Sequence, residues 1–241
     1  MTTFSLAARN AFEAAEGRPL FQAGWQRAVF IHYEVDPAAL QPQVPFPLET
    51  RGGKAYVSLV AFTLSGLRFT LGGPPLTTHG FLNVRTYIPG NGIYFLAEWL
   101  PNPACVFLGP RLYGLPYRQG TLTYDHRHES GRLQGRVESR EGVLDFRAPL
   151  DSGSRFQPCE RGSLDEFLLE RYTAFTERRG RERLFRVWHD PWPQVPLDLT
   201  VLDDRLIDST GPWFRAARRR GANYSPGFDR VWMGRPRRKD A

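Results

Sequence analysis

Cysteine is scarce in this 241-residue chain: Cys105 and Cys159 are the two present. They are too few for a disulfide framework and are not spaced as a metal-binding set, so both are expected to be reduced and structural. Lysine is just as scarce. Of the 32 basic residues, Lys54 and Lys239 are the lysines, which leaves two candidate amine nucleophiles in the whole sequence. Long apolar runs are missing as well: "AYVSLVAFTL" at 55–64 is about half the ~20 residues that a membrane-spanning helix needs. The opening "MTTFSLAARN" lacks the basic-then-apolar order of a secretion signal, and a cytoplasmic location is the expectation. A dinucleotide-type glycine triplet, a phosphate-cradling P-loop and a Gly-x-Ser-x-Gly nucleophile elbow are also lacking. Those gaps exclude several large enzyme classes and give no reason to expect a cofactor.

What is present suits a folded protein. A hydrophobic content of 41%, 13% of the chain being aromatic, is too apolar for disorder. A chain of this length buries roughly 70% of the surface its unfolded form exposes, enough for a substantial core. The net charge of +7 is unevenly placed: residues 1–213 hold 23 basic and 23 acidic residues, whereas 214–241 hold nine and two. "FRAARRRG" and "GRPRRKD" therefore carry the whole excess. No nucleic-acid reading motif accompanies them, and such runs are usually solvated, so nucleic acid is not the expected partner.

Short period-two or compact apolar runs dominate: "RAVFIHYEV", "AYVSLVAFTL", "FLNVRTYI", "GIYFLAEWL", "ACVFL", "GTLTYDHRH", "RLQGRVES" and "VLDFRAPL" read as strands between Gly, Pro and Asn punctuation. "HESG" at 128–131 and "REG" at 140–142 read as hairpin turns. One helix is predicted over "SLDEFLLERYTAFTE", where Ser163 and Glu166 have capping-box spacing and Leu164, Phe167, Leu168, Tyr172 and Phe175 recur on one stripe. Strands follow it, ending in "DRVWMG". The composition has no break before the tail, so one domain over 21–236 is expected, after an N-terminal segment, 1–20, and before a basic tail, 237–241.

Histidine offers several positions. His126 and His128 lie two apart on a strand pattern and could share a metal, but they sit beside a hairpin tip where polar residues belong anyway. His32, between Ile31 and Tyr33, is either a hydrogen-bonded core histidine or an acid–base group. His189, before "DPWP", reads as a structural polar contact, and His79 as a loop residue. In "FLNVRTYI", strand alternation puts Asn83, Arg85 and Tyr87 on one face. That face is in water, or it turns Arg85 into a cavity where its fixed charge meets an anion.

"VFIHYEVDPAALQPQVPFPLET", "GKAYVSLVAFTL", "LNVRTYI", "GPRLYGLPYRQG", "SLDEFLLERY", "HDPWP" and "YSPGFDRVWMGRP" occur in an order that resembles the YqjF-like family of uncharacterised bacterial proteins, placed in the acetoacetate-decarboxylase-like superfamily. The resemblance runs from Gln22 to Pro236. It implies an α+β, mainly β fold, with an antiparallel β-barrel, a few helices and an internal cavity. Oligomers occur in the superfamily, so a homo-oligomer is possible here on the same footing. The decarboxylases carry a stretch like Gly-Arg-Glu-x-x-Gly-x-Pro-Lys-Lys whose first lysine forms an imine with a keto acid. In "PRLYGLPYRQG", Arg111, Gly114 and Pro116 match, but Tyr117 stands at the imine-forming position and Arg118 at its neighbour's. A phenol cannot condense with a carbonyl and a guanidinium stays protonated. Lys54 follows "RGG" in an exposed-turn pattern, so imine chemistry, and with it acetoacetate decarboxylation, is not expected.

Phe81 likewise replaces a superfamily glutamate, leaving Glu98 on "LAEWL" as the remaining carboxylate for catalytic acid–base work in the same interior. The resemblance turns Asn83, Arg85 and Tyr87 inward, with Glu98 or a ligand's carboxylate or phosphate as Arg85's partner. Arg111 is expected as a second cation, and Tyr113, Tyr117 and Tyr224 as hydroxyl donors around an apolar hole. Two functions are then open: a cavity that binds a small organic anion, or an enzyme for a small carbonyl or carboxylic acid with Tyr117 or His32 as acid–base group.

Overall fold

The computed structural model describes residues 3–239; of the tail expected at 237–241, Asp240 and Ala241 lie outside the described residues. The strands are β1 (Phe21–Val35), β2 (Ala55–Phe69), β3 (Thr77–Ile88), β4 (Gly92–Leu100), β5 (Tyr117–Gln119), β6 (Thr121–Asp125), β7 (Arg132–Ser139), β8 (Gly142–Pro149), β9 (Thr173–Arg178), β10 (Arg181–Trp188), β11 (Val195–Pro196), β12 (Thr200–Asp203), β13 (Arg218–Met233) and β14 (Arg237–Arg238). The helices are α1 (Thr3–Glu16), α2 (Pro37–Leu40), α3 (Pro103–Leu112), α4 (Leu164–Leu169) and α5 (Arg205–Asp208). The chain is mainly β, as the alternating sequence predicts.

Two sheets form. The larger runs β13-β1-β2-β3-β4-β9-β10, and because β10 also pairs β13, the path returns on itself. Along this path the joints are antiparallel except β4 with β9, where Gly92–Tyr94 runs parallel to Thr173–Phe175; off it, β5 pairs parallel to β4. The smaller sheet has the order β12-β8-β7-β6. In β7 the sequence rule is plain: Leu133, Gly135 and Val137 are buried and the residues between them exposed. In β3 it fails, because Phe81 through Ile88 is buried on both faces. One face joins a core to which every strand of the closed path contributes, including Val231, Phe30, Val60, Tyr87, Phe95, Ala174 and Phe185. The other face, with Leu82 and Val84, packs in a second core against Leu133, Leu144 and Phe146 of the smaller sheet.

Glycine makes that second core possible at one point. A Cβ on Gly135 would lie 2.3 Å from Phe146 Cζ and 2.9 Å from His126 Nε2. Both partners are ring atoms held by packing, so the clash cannot be relieved by a flexible chain end. Gly135→Ala is expected to destabilise the fold by about 1–3 kcal/mol, read as a lower midpoint in urea unfolding; an unchanged midpoint would mean that the two sheets slide apart freely.

Two predicted elements differ. "ACVFL" is not a strand but part of α3: Asn102 Oδ1 accepts from the amides of Ala104 and Cys105 at 3.0 and 3.2 Å, and Pro103 stands at the first helical position. Cap and proline together outweigh the β-type apolar run. The helix predicted over 163–177 begins as expected, with Ser163 Oγ accepting from Glu166 N at 3.0 Å, but ends at Leu169. Tyr172 lies in the turn beyond it and Phe175 on β9, where Ala174 and Thr176 face the core by strand alternation. Within the segment 1–20, α1 packs on the ring: Ser5 Oγ donates to the His189 carbonyl at 2.9 Å, and Phe12 is fully buried beside Trp232. Both cysteines are free, and among the described residues no helix is long and apolar enough to cross a membrane.

Candidate functional site

Strand register brings the predicted residues together. Across β1, β2 and β3, His32 lies opposite Ser58 and Ser58 opposite Arg85. One step along, Asn83 lies opposite Glu98 and Glu98 opposite Tyr117 of β5. All of these face the ring core, so the water-facing alternative for Arg85 is excluded: Arg85 is 5% exposed and Tyr87 fully buried.

Arg85 is a buried cation with little to hold it. Its Nη2 donates to the Leu168 carbonyl at 3.0 Å, at the end of α4, and its guanidinium stands 5.9 Å from the Phe30 ring. Its Nε has no hydrogen-bond partner, and among the described residues no carboxylate forms an ion pair with it. Glu98, the expected partner, does not fill that role. The β3–β4 register shifts between Val84 and Arg85, which sets Phe95 opposite Arg85 and leaves Glu98 opposite Asn83. Burial holds the Glu98 carboxyl well above the usual carboxylate range, and Glu98 Oε2 and Asn83 Oδ1 both lack partners. The carboxyl that does feel Arg85 is Glu170, which accepts from Trp192 N at 2.8 Å and from the Tyr172 hydroxyl. Burial raises its pKa to about 7, against the opposing pull of those hydrogen bonds and of Arg85. Trp192, in the same core, has an unpartnered indole Nε1.

His32 is tied on both sides. Its Nδ1 lies 2.6 Å from Ser58 Oγ and its Nε2 3.0 Å from Asn223 Oδ1. Burial, with Arg85 adding to it, lowers its pKa to about 3, so the ring is neutral near pH 7. Ser58 Oγ also meets the Tyr87 hydroxyl, which shares the Leu168 carbonyl with Arg85 at 3.0 Å. Tyr117 is half-buried, its ring 5.6 Å from that of Phe81 and edge-on to it. Burial and the neighbouring Glu98 push its phenol well above the usual range. Phe81 and Tyr117 thus pack against each other.

Three residues expected around the hole, Arg111, Tyr224 and Tyr113, lie elsewhere or are already engaged. Arg111 is exposed on α3, where it donates to the Phe107 carbonyl at 2.5 Å and lies over that residue's ring; a cation beside an exposed apolar ring stays in water. Tyr224 belongs to the second core, its hydroxyl donating to the His126 carbonyl at 2.9 Å, because the residue next to Asn223 on a strand must face the other way. Tyr113 is in the ring core, but its hydroxyl is spent on the Gly234 carbonyl at 3.0 Å. His126 and His128 take separate partners, the Arg27 carbonyl and the Tyr224 hydroxyl. Lys54 has a side chain 52% exposed and stands 4.0 Å from Glu34. The expected internal hole is not among the two hollows described, of about 290 Å³ beside Arg27 and His128 and about 660 Å³ beside Tyr33 and Phe214. Phe30, Phe95, Tyr87, Leu168 and Trp192 pack the ring core instead.

Ser58, Asn223, Glu170 and Trp192 escaped the sequence reading. Ser58 had a usable signal, being the lone polar residue within "AYVSLVAF". Glu170 had none, since it sits on the polar side of a helical pattern that the chain abandons.

Comparison with known proteins places this geometry. The family model DUF2071, "Uncharacterized conserved protein (COG2071)", matches residues 22–229. "Uncharacterized protein YqjF" of Bacillus subtilis (strain 168) is 28% identical over 204 residues, 81% of this chain and 84% of that protein. Among solved structures, an acetoacetate decarboxylase-like enzyme from Sphingomonas wittichii RW1 is similar, with TM-score 0.59 and 15% identity over 90% of this chain and 92% of its own. An acetoacetate decarboxylase from Legionella pneumophila reaches TM-score 0.60 at 12% identity, over 92% and 89%. At such identities the likeness is one of fold.

Proposed function

This chain belongs to the DUF2071 family, and from that premise we propose that it binds a small organic anion, a carboxylate or keto acid, on Arg85 inside the strand ring and without imine chemistry. One observation carries the reading: a buried guanidinium has no counter-charge in ion-pair range among the described residues, and its Nε is unpartnered. An unpaired buried charge costs several kcal/mol. A ligand carboxylate offsets that cost with two oxygens matched to the guanidinium fork. Trp192 Nε1 is a second unfilled donor, while Asn83 Oδ1 and Glu98 Oε2 are unfilled acceptors, the mixed polarity that fixes orientation in an apolar site. The ligand's oxygen takes the position of the Leu168 carbonyl, which Arg85 and Tyr87 already contact together. Tyr117 in place of the amine, and Lys54 out in solvent, leave the superfamily's covalent route without a nucleophile.

Thermal unfolding against acetate, propionate, pyruvate and 2-oxobutyrate tests this. At a hundred times Kd a ligand of the folded state adds about 2.7 kcal/mol, and the midpoint is expected to rise by several degrees with at least one of these acids. Arg85→Met is expected to remove the response. A rise that persists in Arg85→Met, or no rise with any acid, overturns the assignment.

A further inference from the structure

The polar residues behind Arg85 form a chain whose hydrogen-bond direction is fixed by its far end. Asn223 Nδ2 faces two acceptors, Gln194 Oε1 at 2.7 Å and Asp165 Oδ2 at 3.3 Å, so its Oδ1 is the atom turned to His32 Nε2 at 3.0 Å. A carbonyl oxygen accepts only, so Nε2 carries the imidazole proton. Nδ1 is then bare and receives the Ser58 hydroxyl proton at 2.6 Å. This is a hydroxyl, a base that accepts from it and an amide that orients the base, the arrangement by which serine oxygens become nucleophiles. It lies in three strands, with Asp165 on α4 holding the amide, and owes nothing to a sequence motif.

The reacting position is present too. Arg85 Nη2 donates to the Leu168 carbonyl oxygen at 3.0 Å, and the Tyr87 hydroxyl stands between that oxygen, also at 3.0 Å, and Ser58 Oγ; with the Ser58 proton turned to His32, the one Tyr87 proton serves either of them. A carbonyl oxygen is therefore held by a cation and a phenol next to an activated hydroxyl. That carbonyl belongs to the α4 turn, so a substrate must displace the turn to reach Ser58.

We propose that Ser58 is a catalytic nucleophile, with His32 as its base and Asn223 as a positioning residue, acting on an ester or thioester of a small carboxylic acid. The proposal rests on the anion site above, because Arg85 serves both. Ser58 Oγ bonds to the acyl carbon as its proton passes to His32 Nδ1, and the carbonyl pair moves onto oxygen, stabilised by Arg85 and Tyr87. The adduct then breaks its bond to the alcohol or thiol, which leaves with the proton from His32. Water repeats the sequence on the acyl-serine, restores Ser58 and frees a carboxylate, the anion for which Arg85 is the partner.

Incubating the full chain with an alkyl fluorophosphonate and mapping the modified peptide tests the assignment, since attack by Ser58 expels fluoride and leaves a stable phosphonyl ester. An adduct on Ser58 is expected, absent in Ser58→Ala and at least tenfold slower in His32→Gln. Asn223→Asp, which sets a carboxylate against Nε2, is expected to move the acid limb of the labelling rate to higher pH; a merely structural amide leaves that limb in place. Wild-type chain without an adduct, or an adduct that persists in Ser58→Ala, overturns the proposal even if some variant fails to fold. Carboxylate stabilisation without labelling leaves the anion site standing and removes the nucleophile. Labelling of Ser58 without any carboxylate response supports the nucleophile and removes the anion reading.

Discussion

Between about pH 6.5 and pH 4 the folded protein is expected to lose stability. Burial lowers the imidazole pKa values of His32, His126 and His189 to about 3, 4 and 4, and each ring is 3% exposed or less. In the unfolded chain the same rings protonate near pH 6.5. Unfolding therefore takes up protons in this window, and stability that is complete above pH 6.5 is lost as pH falls toward the folded values. At 1.36 kcal/mol per pKa unit each histidine contributes about 3–5 kcal/mol, so together they approach the total stability of an ordinary domain.

Glu170 pulls the other way. Its carboxyl pKa is raised to about 7, so it stays protonated in the fold while the unfolded chain ionises above pH 4.5, and about 3 kcal/mol is lost as pH rises through that interval. Glu98, also raised by burial, acts in the same direction. Between pH 6.5 and 4.5 unfolding takes up protons on three rings and releases them from two carboxyls, so acid destabilises. Thermal midpoints measured in steps from pH 6.5 to 4.5 should fall, and fall more steeply in Glu170→Gln, which removes one opposing group. A midpoint that is flat or rises on acidification contradicts neutral burial of the histidines.

Arg85→Met is expected to make the ligand-free protein more stable, by about 1–4 kcal/mol, since a buried charge without its counter-charge is replaced by apolar volume. The Leu168 carbonyl keeps a donor in Tyr87, so the substitution strands no acceptor. Arg171 is the instructive contrast: it is equally buried, but Nη1 pairs with Glu49 Oε2 at 2.6 Å and Nε donates to the Phe167 carbonyl at 2.6 Å. One arginine is paired within the fold and the other is not. Urea unfolding without added anion reads the effect. A lower midpoint for Arg85→Met would mean that Arg85 serves packing, and that its carbonyl contact is sufficient compensation.

Strand content was legible because alternation is a local property. "RLQGRVES" is β7, residue for residue, since one of its faces meets water. In β3 both faces are buried, so alternation could name the residues sharing a face, Asn83, Arg85 and Tyr87, but not where that face points; the family resemblance supplied the inward direction. What the sequence could not convey was register between distant strands. The β3–β4 register sets Glu98 opposite Asn83, and a one-residue shift after Val84 sets Phe95 opposite Arg85. Asn223 reaches His32 across a separation of 191 residues, and no spacing rule spans that distance. Arg111 was drawn in by likeness to a motif and fell outside the site because the stretch before it is a helix with that face in water.

The ring closes through a short seam, Val187 with Met233 and Trp188 with Trp232, against twelve paired positions between β1 and β13. Closure hides two raw strand edges that would otherwise template pairing with another chain. So brief a seam leaves little to part: β11 stays on β13 at Asn223 and Tyr224 and β14 on β10 at Arg183 and Leu184, and the stretches of edge between them are bared at once. Self-association of this protein would then begin from an unzipped but still folded ring.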